Sequence, residues 1–226
     1  MKKITYLILT LFLMIFFSIG EVTASKQTRG EKILRKMVDK YKNIDIYKDE
    51  TSIRFETKIK DKQFPETIYS CLIQRPNKIS LNLKSGVLGF TLISNGKKLW
   101  LYFPQGKEYA DQMAPADLEG IFSKISLNQK FLMGEIVLFH LFSPQPYEAI
   151  TAGFKQIELL GESVINGNKT FHVLLKGDLK TERHLWIDTW SYLLRKVSTD
   201  FSQSIEILRK AGLDIGNNSS IKFFET

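Results

Sequence analysis

Two neighbouring stretches decide how the rest of the chain is read: Leu72-Ile73-Gln74-Arg75-Pro76-Asn77-Lys78-Ile79 and Leu92-Ile93-Ser94-Asn95-Gly96-Lys97-Lys98-Leu99-Trp100-Leu101-Tyr102-Phe103-Pro104. In the first, Arg75-Pro76-Asn77 interrupts apolar segments, because proline fixes φ and lacks an N–H for a ladder. In the second, Asn95-Gly96 is the dipeptide of a tight hairpin, since both residues accept positive φ. The spacing predicts strands over 67–75, 78–83, 87–94 and 98–103, joined by short turns and therefore antiparallel.

Upstream of these strands, Ile33, Leu34, Met37, Val38 and Tyr41 recur at helical spacing between lysines, Arg35 and Asp39, which predicts an amphipathic helix over 30–42 with a basic solvated face. Ile53, Phe55, Thr57 and Ile59 then alternate with charged residues, as in a strand wetted on one side. Downstream the alternation stops. Residues 117–125 and 128–142 read as helices, the second nearly without a polar face and closed by Ser143-Pro144-Gln145-Pro146. Strands resume over 154–164, turn at Asn166-Gly167, and continue through 169–176, 183–187 and 193–201, with 204–210 a further candidate. No internal repeat, linker or run of crossover helices appears, so one antiparallel domain over 25–226 is the simplest organisation. About ten antiparallel strands curl into a barrel or fold into a sandwich. The apolar helices either plug a lumen or pack an ordinary core.

The composition fits a packed domain: 226 residues, 43% hydrophobic, 25% charged, 14 Gly and 6 Pro, which excludes collagen and disorder. The formal charge of +8 suits an anionic surface, but the basic residues are interspersed, so nucleic acid is not expected as a partner. Lys2 and Lys3 precede an apolar run over 4–19, followed by the small side chains of Val22-Thr23-Ala24. This pattern predicts a signal peptide over 1–24, cut after Ala24, with an uncleaved anchor as the alternative. Ser25 follows the cut where a lipoprotein would carry cysteine. The mature chain is therefore expected outside the cytoplasm and without a lipid anchor.

Cys71, the single cysteine, lies within an apolar strand and reads as a packed side chain. His140, His172 and His184 lie on separate elements and show no metal-ligand spacing. His140, inside the most apolar helix, reads as a core histidine; Asp178, Glu182 and Asp188 are possible partners of His184. No nucleophile elbow or phosphate loop occurs. An enzyme is not expected, and neither a cofactor nor a metal is called for.

The Arg75-Pro76-Asn77 turn, followed by the Asn95-Gly96-Lys97 hairpin running into Leu99-Trp100-Leu101-Tyr102-Phe103-Pro104, resembles the outer-membrane lipoprotein carrier (LolA-like) family, over most of residues 28–200. The strand Leu185-Trp186-Ile187-Asp188 belongs to the same resemblance. It implies an α+β fold, mainly antiparallel β: an incomplete, unclosed barrel with an α-helical lid over an apolar cavity. It also implies a monomeric periplasmic carrier of acylated lipoproteins, loaded by an ATP-driven releasing complex of the inner membrane and emptied at an outer-membrane receptor. Arg75 takes the place of the family's lid-gating arginine, with an exposed arginine beside a turn as the alternative.

Such a job has a physical requirement. Burying a methylene gains about 0.8 kcal/mol, so a triacyl group with roughly 45 of them faces a cost on the order of 35 kcal/mol in water. Phe90, Trp100, Tyr102, Met133, Phe139, Phe142 and Trp186 are the candidates for lining the cavity, with plain core packing as the alternative for each. Three features depart from the family: strand 78–83 lacks aromatics, helix 128–142 is unusually apolar, and the tail 212–226 has no counterpart. Free lipid or glycolipid as cargo, or a lipoprotein-sensing role, follow as alternatives.

Overall fold

The computed structural model describes residues 27–57, 66–84, 89–124, 137–177, 181–200 and 221–225. The export segment, Met133 and the candidate strand 204–210 lie outside them.

The first element, α1 (Arg29–Lys42), begins on a capping box: Thr28 Oγ1 accepts from the Glu31 amide, and the Glu31 carboxylate accepts from the Thr28 amide. Its buried stripe comprises Ile33, Leu34, Met37, Val38 and Tyr41. At about 2 kcal/mol per large side chain, that stripe contributes on the order of 10 kcal/mol, an upper bound because the unfolded chain is partly compact.

Six antiparallel strands follow: β1 (Ile46–Thr57), β2 (Thr67–Gln74), β3 (Lys78–Lys84), β4 (Phe90–Asn95), β5 (Lys98–Phe103) and β6 (Glu108–Met113). Among the described residues three short helices come next, α2 (Leu118–Ser123), α3 (Val137–Leu141) and α4 (Pro146–Thr151). The chain continues through β7 (Phe154–Ile165), β8 (Asn168–Gly177), β9 (Glu182–Asp188) and β10 (Leu194–Asp200), and β11 (Ile221–Glu225) is the last strand. The eleven described strands form one sheet in the order β6-β5-β4-β3-β2-β1-β11-β10-β9-β8-β7. The end strands β6 and β7 do not pair with each other, so the barrel is unclosed.

The alternation of each strand divides the sheet into two faces. Ile53, Tyr69, Cys71, Ile73, Leu81, Leu83, Leu92, Leu99, Val173, Leu185, Ile187 and Val197 point inward, where they join the α1 stripe, Leu118, Ile121, Val137, Leu138, Leu141, Phe142 and Ile150 in one apolar core. The helices thus cover the inner face that a second sheet would cover in a sandwich.

The two quoted turns are tied together by one side chain. Asn77 Nδ2 donates to the carbonyls of Gly96 (3.0 Å) and Pro115 (2.8 Å), while Ser94 Oγ donates to the Asn77 carbonyl at 2.6 Å. Asn95 Oδ1 accepts from the amides of Lys97 and Lys98, and Gly96 takes a φ of 92°, as the hairpin requires. The Arg75–Pro76 peptide is cis.

Several boundaries differ from the sequence expectation. β1 starts at Ile46 rather than Ile53, because Tyr47, Asp49 and Thr51 face inward as polar residues and blur the alternation. β6 was not anticipated: all six of its residues are exposed, so no apolar period marks it. The stretch Ser143–Pro146 follows the end of α3 at Leu141, and Pro146 also opens α4 at its first position, where a missing N–H costs nothing. Of the expected helix 128–142, the described part is α3, and the tail without a family counterpart supplies β11.

Candidate functional site

Arg75 sits at the turn after β2 and faces the end of α1. Its Nη2 donates to the Tyr41 carbonyl and its Nε to the Ile44 carbonyl, both at 3.2 Å. The Tyr41 carbonyl also accepts from the Ile44 amide at 3.4 Å, and a cation beside the C-terminal end of α1 complements the helix dipole. The guanidinium lies 5.2 Å from the Phe142 ring centroid, just beyond α3. Phe142 in turn packs against Tyr41 (5.8 Å, edge-on) and Tyr47 (5.3 Å). One side chain of the sheet therefore touches both the first helix and the middle helices.

A second arginine repeats the arrangement at the opposite side. Arg183, on the inner face of β9 and 3% exposed, donates from Nη1 to the Ile150 carbonyl of α4 and from Nε to Thr199 Oγ1, both at 3.3 Å, and stacks over Phe154 at 4.8 Å. Its role was not read from the sequence. An arginine at an inward position of an otherwise apolar strand is the signal that marks it. Further ties hold α1: Thr28 Oγ1 donates to the Ile157 carbonyl of β7, the Leu194 amide donates to Tyr41 Oη, and Arg35 stacks 3.7 Å above Tyr147 of α4.

The aromatic candidates separate into groups. Phe90 and Phe142 are fully buried, and Phe90 packs 6.4 Å from Phe103. Phe139 stacks on Phe122 at 4.4 Å. Phe90 and Phe142 belong to the core, and Phe139 packs against it. Trp100, Tyr102 and Trp186 do not: the register sets Trp100 opposite Ile93, Tyr102 opposite Thr91 and Trp186 opposite His172, on the outer face. The placement of these three under the lid is therefore corrected, and the reason is one of phase. Leu99, Leu101 and Phe103 take the inward positions of β5, so the intervening aromatics must point out.

On that outer face Trp186 stacks on His172 (4.5 Å) and His184 (5.9 Å), with Lys196 Nζ 5.1 Å from its ring. His172 Nε2 and His184 Nδ1 share a hydrogen bond of 2.8 Å, and His184 lies 3.9 Å from Glu182. Burial and the neighbouring His184 hold the His172 imidazole below its ordinary basicity. His140 is likewise lowered by burial. Asp188 pairs with Arg195 at 3.2 Å rather than with His184; burial raises its carboxyl, but the Ser191 and Trp190 amides and Arg195 outweigh this and hold it below the usual range. Asp178 lies outside the described residues. Among the described residues no three of His, Cys, Asp and Glu gather as a metal set would.

Among the described residues the inner face carries a packed apolar core. A void of about 190 Å³ lies between Tyr47, Asp49, Thr51 and Tyr69 on the sheet and Leu138 and Leu141 on α3. Tyr47 Oη and Thr51 Oγ1 both donate to Asp49 Oδ2, at 3.0 and 2.8 Å. Burial, with Tyr41 and Asp49 nearby, pushes the Tyr47 phenol far up, so it stays a donor. A larger hollow of about 570 Å³ beside β6 and α2 is rimmed by exposed Met113 and Lys124 and is open to solvent. Among the described residues, the apolar stripes of α1, α3 and α4 join the inner face of the sheet in one core.

The family described as "Predicted periplasmic protein (DUF2092)" matches residues 30–204. No curated protein matches the chain. Among solved structures it is similar to the lipoprotein LppX of Mycobacterium tuberculosis, at 13% identity over 86% of this chain and 92% of that one, with a TM-score of 0.43. It is similar to LprF of Mycobacterium bovis, at 10% identity over 86% and 90%, with a TM-score of 0.46. It is also similar to a LolA superfamily protein of Nitrosomonas europaea, at 16% identity over 76% and 72%, with a TM-score of 0.30.

Proposed function

The chain belongs to the DUF2092 family of predicted periplasmic proteins, and from that premise we propose that it is a non-catalytic periplasmic carrier that shelters acyl chains between its helices and its curved sheet. The observation that carries this reading is how the apolar inner face is covered. Three short helices and α1 lie over it, tied by two sheet arginines that donate to helix-end carbonyls and by scattered aromatic contacts. Net hydrogen bonds of this kind contribute roughly 1 kcal/mol each, more when charged. A cover held this way can lift and expose apolar surface to cargo, at a cost that burying the cargo's methylenes offsets.

The packed state is then the empty one. Arg75 serves as the gate, because its loss frees α1 and Phe142 together. Lipoproteins fit as cargo, moved from an ATP-driven releasing complex in the inner membrane to a receptor at the outer membrane by the exported single domain acting as a monomer. The small void favours a second reading, a carrier of free lipid. At the roughly 30 Å³ that a water-sized group occupies, 190 Å³ takes on the order of six methylenes, a part of one chain rather than three.

Purification of the mature protein from the envelope, followed by mass spectrometry of what elutes with it, tests both. Acylated polypeptide supports lipoprotein carriage and lipid without polypeptide supports the second reading. A preparation free of both removes the carrier assignment.

A further inference from the structure

The solvent side of α1 carries charge of one sign in register. Arg29, Lys32, Lys36 and Lys40 are all exposed and stand three, four and four residues apart, which sets them along one ridge of the helix, roughly 16 Å long. Asp39 is the acidic residue beside this ridge, and the Glu31 carboxylate is held in the capping box. Among the described residues no ion pair draws on the four cations. Lys36 meets a neutral group: its Nζ donates to Tyr192 Oη at 3.3 Å and lies 5.0 Å from that ring's centroid, so its charge is not cancelled.

Tyr192 belongs to the turn between β9 and β10, and the same turn carries Trp190, which is 91% exposed. The turn is firmly anchored. Asp188 Oδ1 accepts from the Trp190 and Ser191 amides at 3.0 and 2.8 Å, and its Oδ2 accepts from Arg195 Nη2 at 3.2 Å. Just after it, the Leu194 amide donates to Tyr41 Oη of α1. A large aromatic side chain is thus presented to solvent by a fixed turn beside a row of cations, although its burial would be favourable.

We propose that the α1 ridge and Trp190 form a docking surface for an anionic phospholipid bilayer, with the four cations at the phosphates and the indole in the headgroup layer. The apolar stripe of α1 is taken up by the core, so the helix offers charge without insertion. Trp190 supplies the apolar contact, at the depth that indole rings favour. Three of the four cations are lysines, whose ammonium groups lack the directional fork that reads a shaped site. They suit a fluid layer of phosphates better than a pocket on a protein, and the periplasmic setting removes nucleic acid. Each basic residue near an anionic surface strengthens adsorption roughly fivefold, so four give on the order of several hundredfold. The proposal goes beyond the carrier reading, because adsorption here needs no cargo.

Co-sedimentation of the mature protein with vesicles of phosphatidylglycerol and phosphatidylethanolamine in equal parts, against vesicles of phosphatidylcholine alone, provides the test. The protein should bind the anionic vesicles at least about tenfold more tightly, and added salt should release it. Lys32→Gln with Lys40→Gln should weaken that binding roughly 25-fold, at positions exposed enough to leave the fold intact. Trp190→Ala should weaken it as well and abolish the blue shift of tryptophan emission on binding. Equal binding to both vesicle types, binding to neither, or anionic binding that both variants retain would overturn the docking surface. Capture of a polyglutamate peptide without vesicle binding would also overturn it and hand the ridge to an acidic protein partner. What co-purifies with the protein from the envelope is a separate measurement, so the carrier reading stands or falls on its own.

Discussion

Arg75 shows how much can depend on one side chain. Its two donors satisfy carbonyls at the end of α1, and its plane covers Phe142. Arg75→Leu keeps the apolar stem but removes charged donors from two carbonyls, of which Tyr41 retains the Ile44 amide, and costs about 1–3 kcal/mol. Chemical denaturation should register that loss. In a transfer assay the variant should still load cargo but release it poorly, because the closed state no longer competes with bound chains. Transfer at the parent rate would remove Arg75 from the gate. At His172 the effect is one of protonation. Its folded form resists the proton because of burial and His184, whereas the unfolded chain binds one near pH ~6.5. Unfolding therefore takes up a proton as pH falls, so stability is full above ~6.5, declines below it, and levels off once pH is under the folded value. His140, lowered by burial, acts in the same direction. The melting temperature should fall between pH 7.5 and 5.5, and His140→Gln with His172→Gln should flatten that slope. An unchanged slope would assign the acid sensitivity to other groups.

Among the elements, α1 makes the sharpest prediction. A glycine within an exposed helix is ordinarily improved by alanine, by up to about 1 kcal/mol. Gly30 reverses that expectation, because a Cβ there would lie 2.9 Å from the Glu158 carbonyl carbon and 3.0 Å from the Leu159 nitrogen, both backbone atoms of β7. Gly30→Ala should destabilise by about 1–3 kcal/mol as the helix is pushed off the strand, and calorimetry showing a raised melting temperature would contradict the close approach. The helix itself was legible, since its stripe repeats at 3.6 residues and its cap is local. So were β2 to β5, whose turns announce themselves at Arg75 and Asn95. What could not be read was anything fixed by distant partners. β6 has no apolar face, the inward Asp49 breaks the phase of β1, and Arg183 becomes a tether only once α4 is folded over it. The facing of Trp100, Tyr102 and Trp186 failed for the same reason: aromatic type suggested lining, but the strand's phase against its neighbours assigns the face.

For the whole molecule the decisive piece is the shortest strand. β1 to β6 form one continuous half of the sheet and β7 to β10 the other, and the order of pairing gives β11 as the link between them. Local contacts build each half early, since successive strands are joined by short turns, whereas β11 must close a ladder with β1 across most of the chain and pay the corresponding loop entropy. Removing residues 221–226 should therefore leave two half-sheets held by the helices alone, with two new unpaired strand edges at β1 and β10. Exposed edges recruit other chains. The truncated protein should lose more than about 3 kcal/mol of stability, in the range reserved for broken core networks, and elute as dimers and larger species from a sizing column. Amide exchange should rise first in residues 53–57 and 197–200, which lose their ladder partner. A monomer with unchanged protection there would mean that the two halves close without β11.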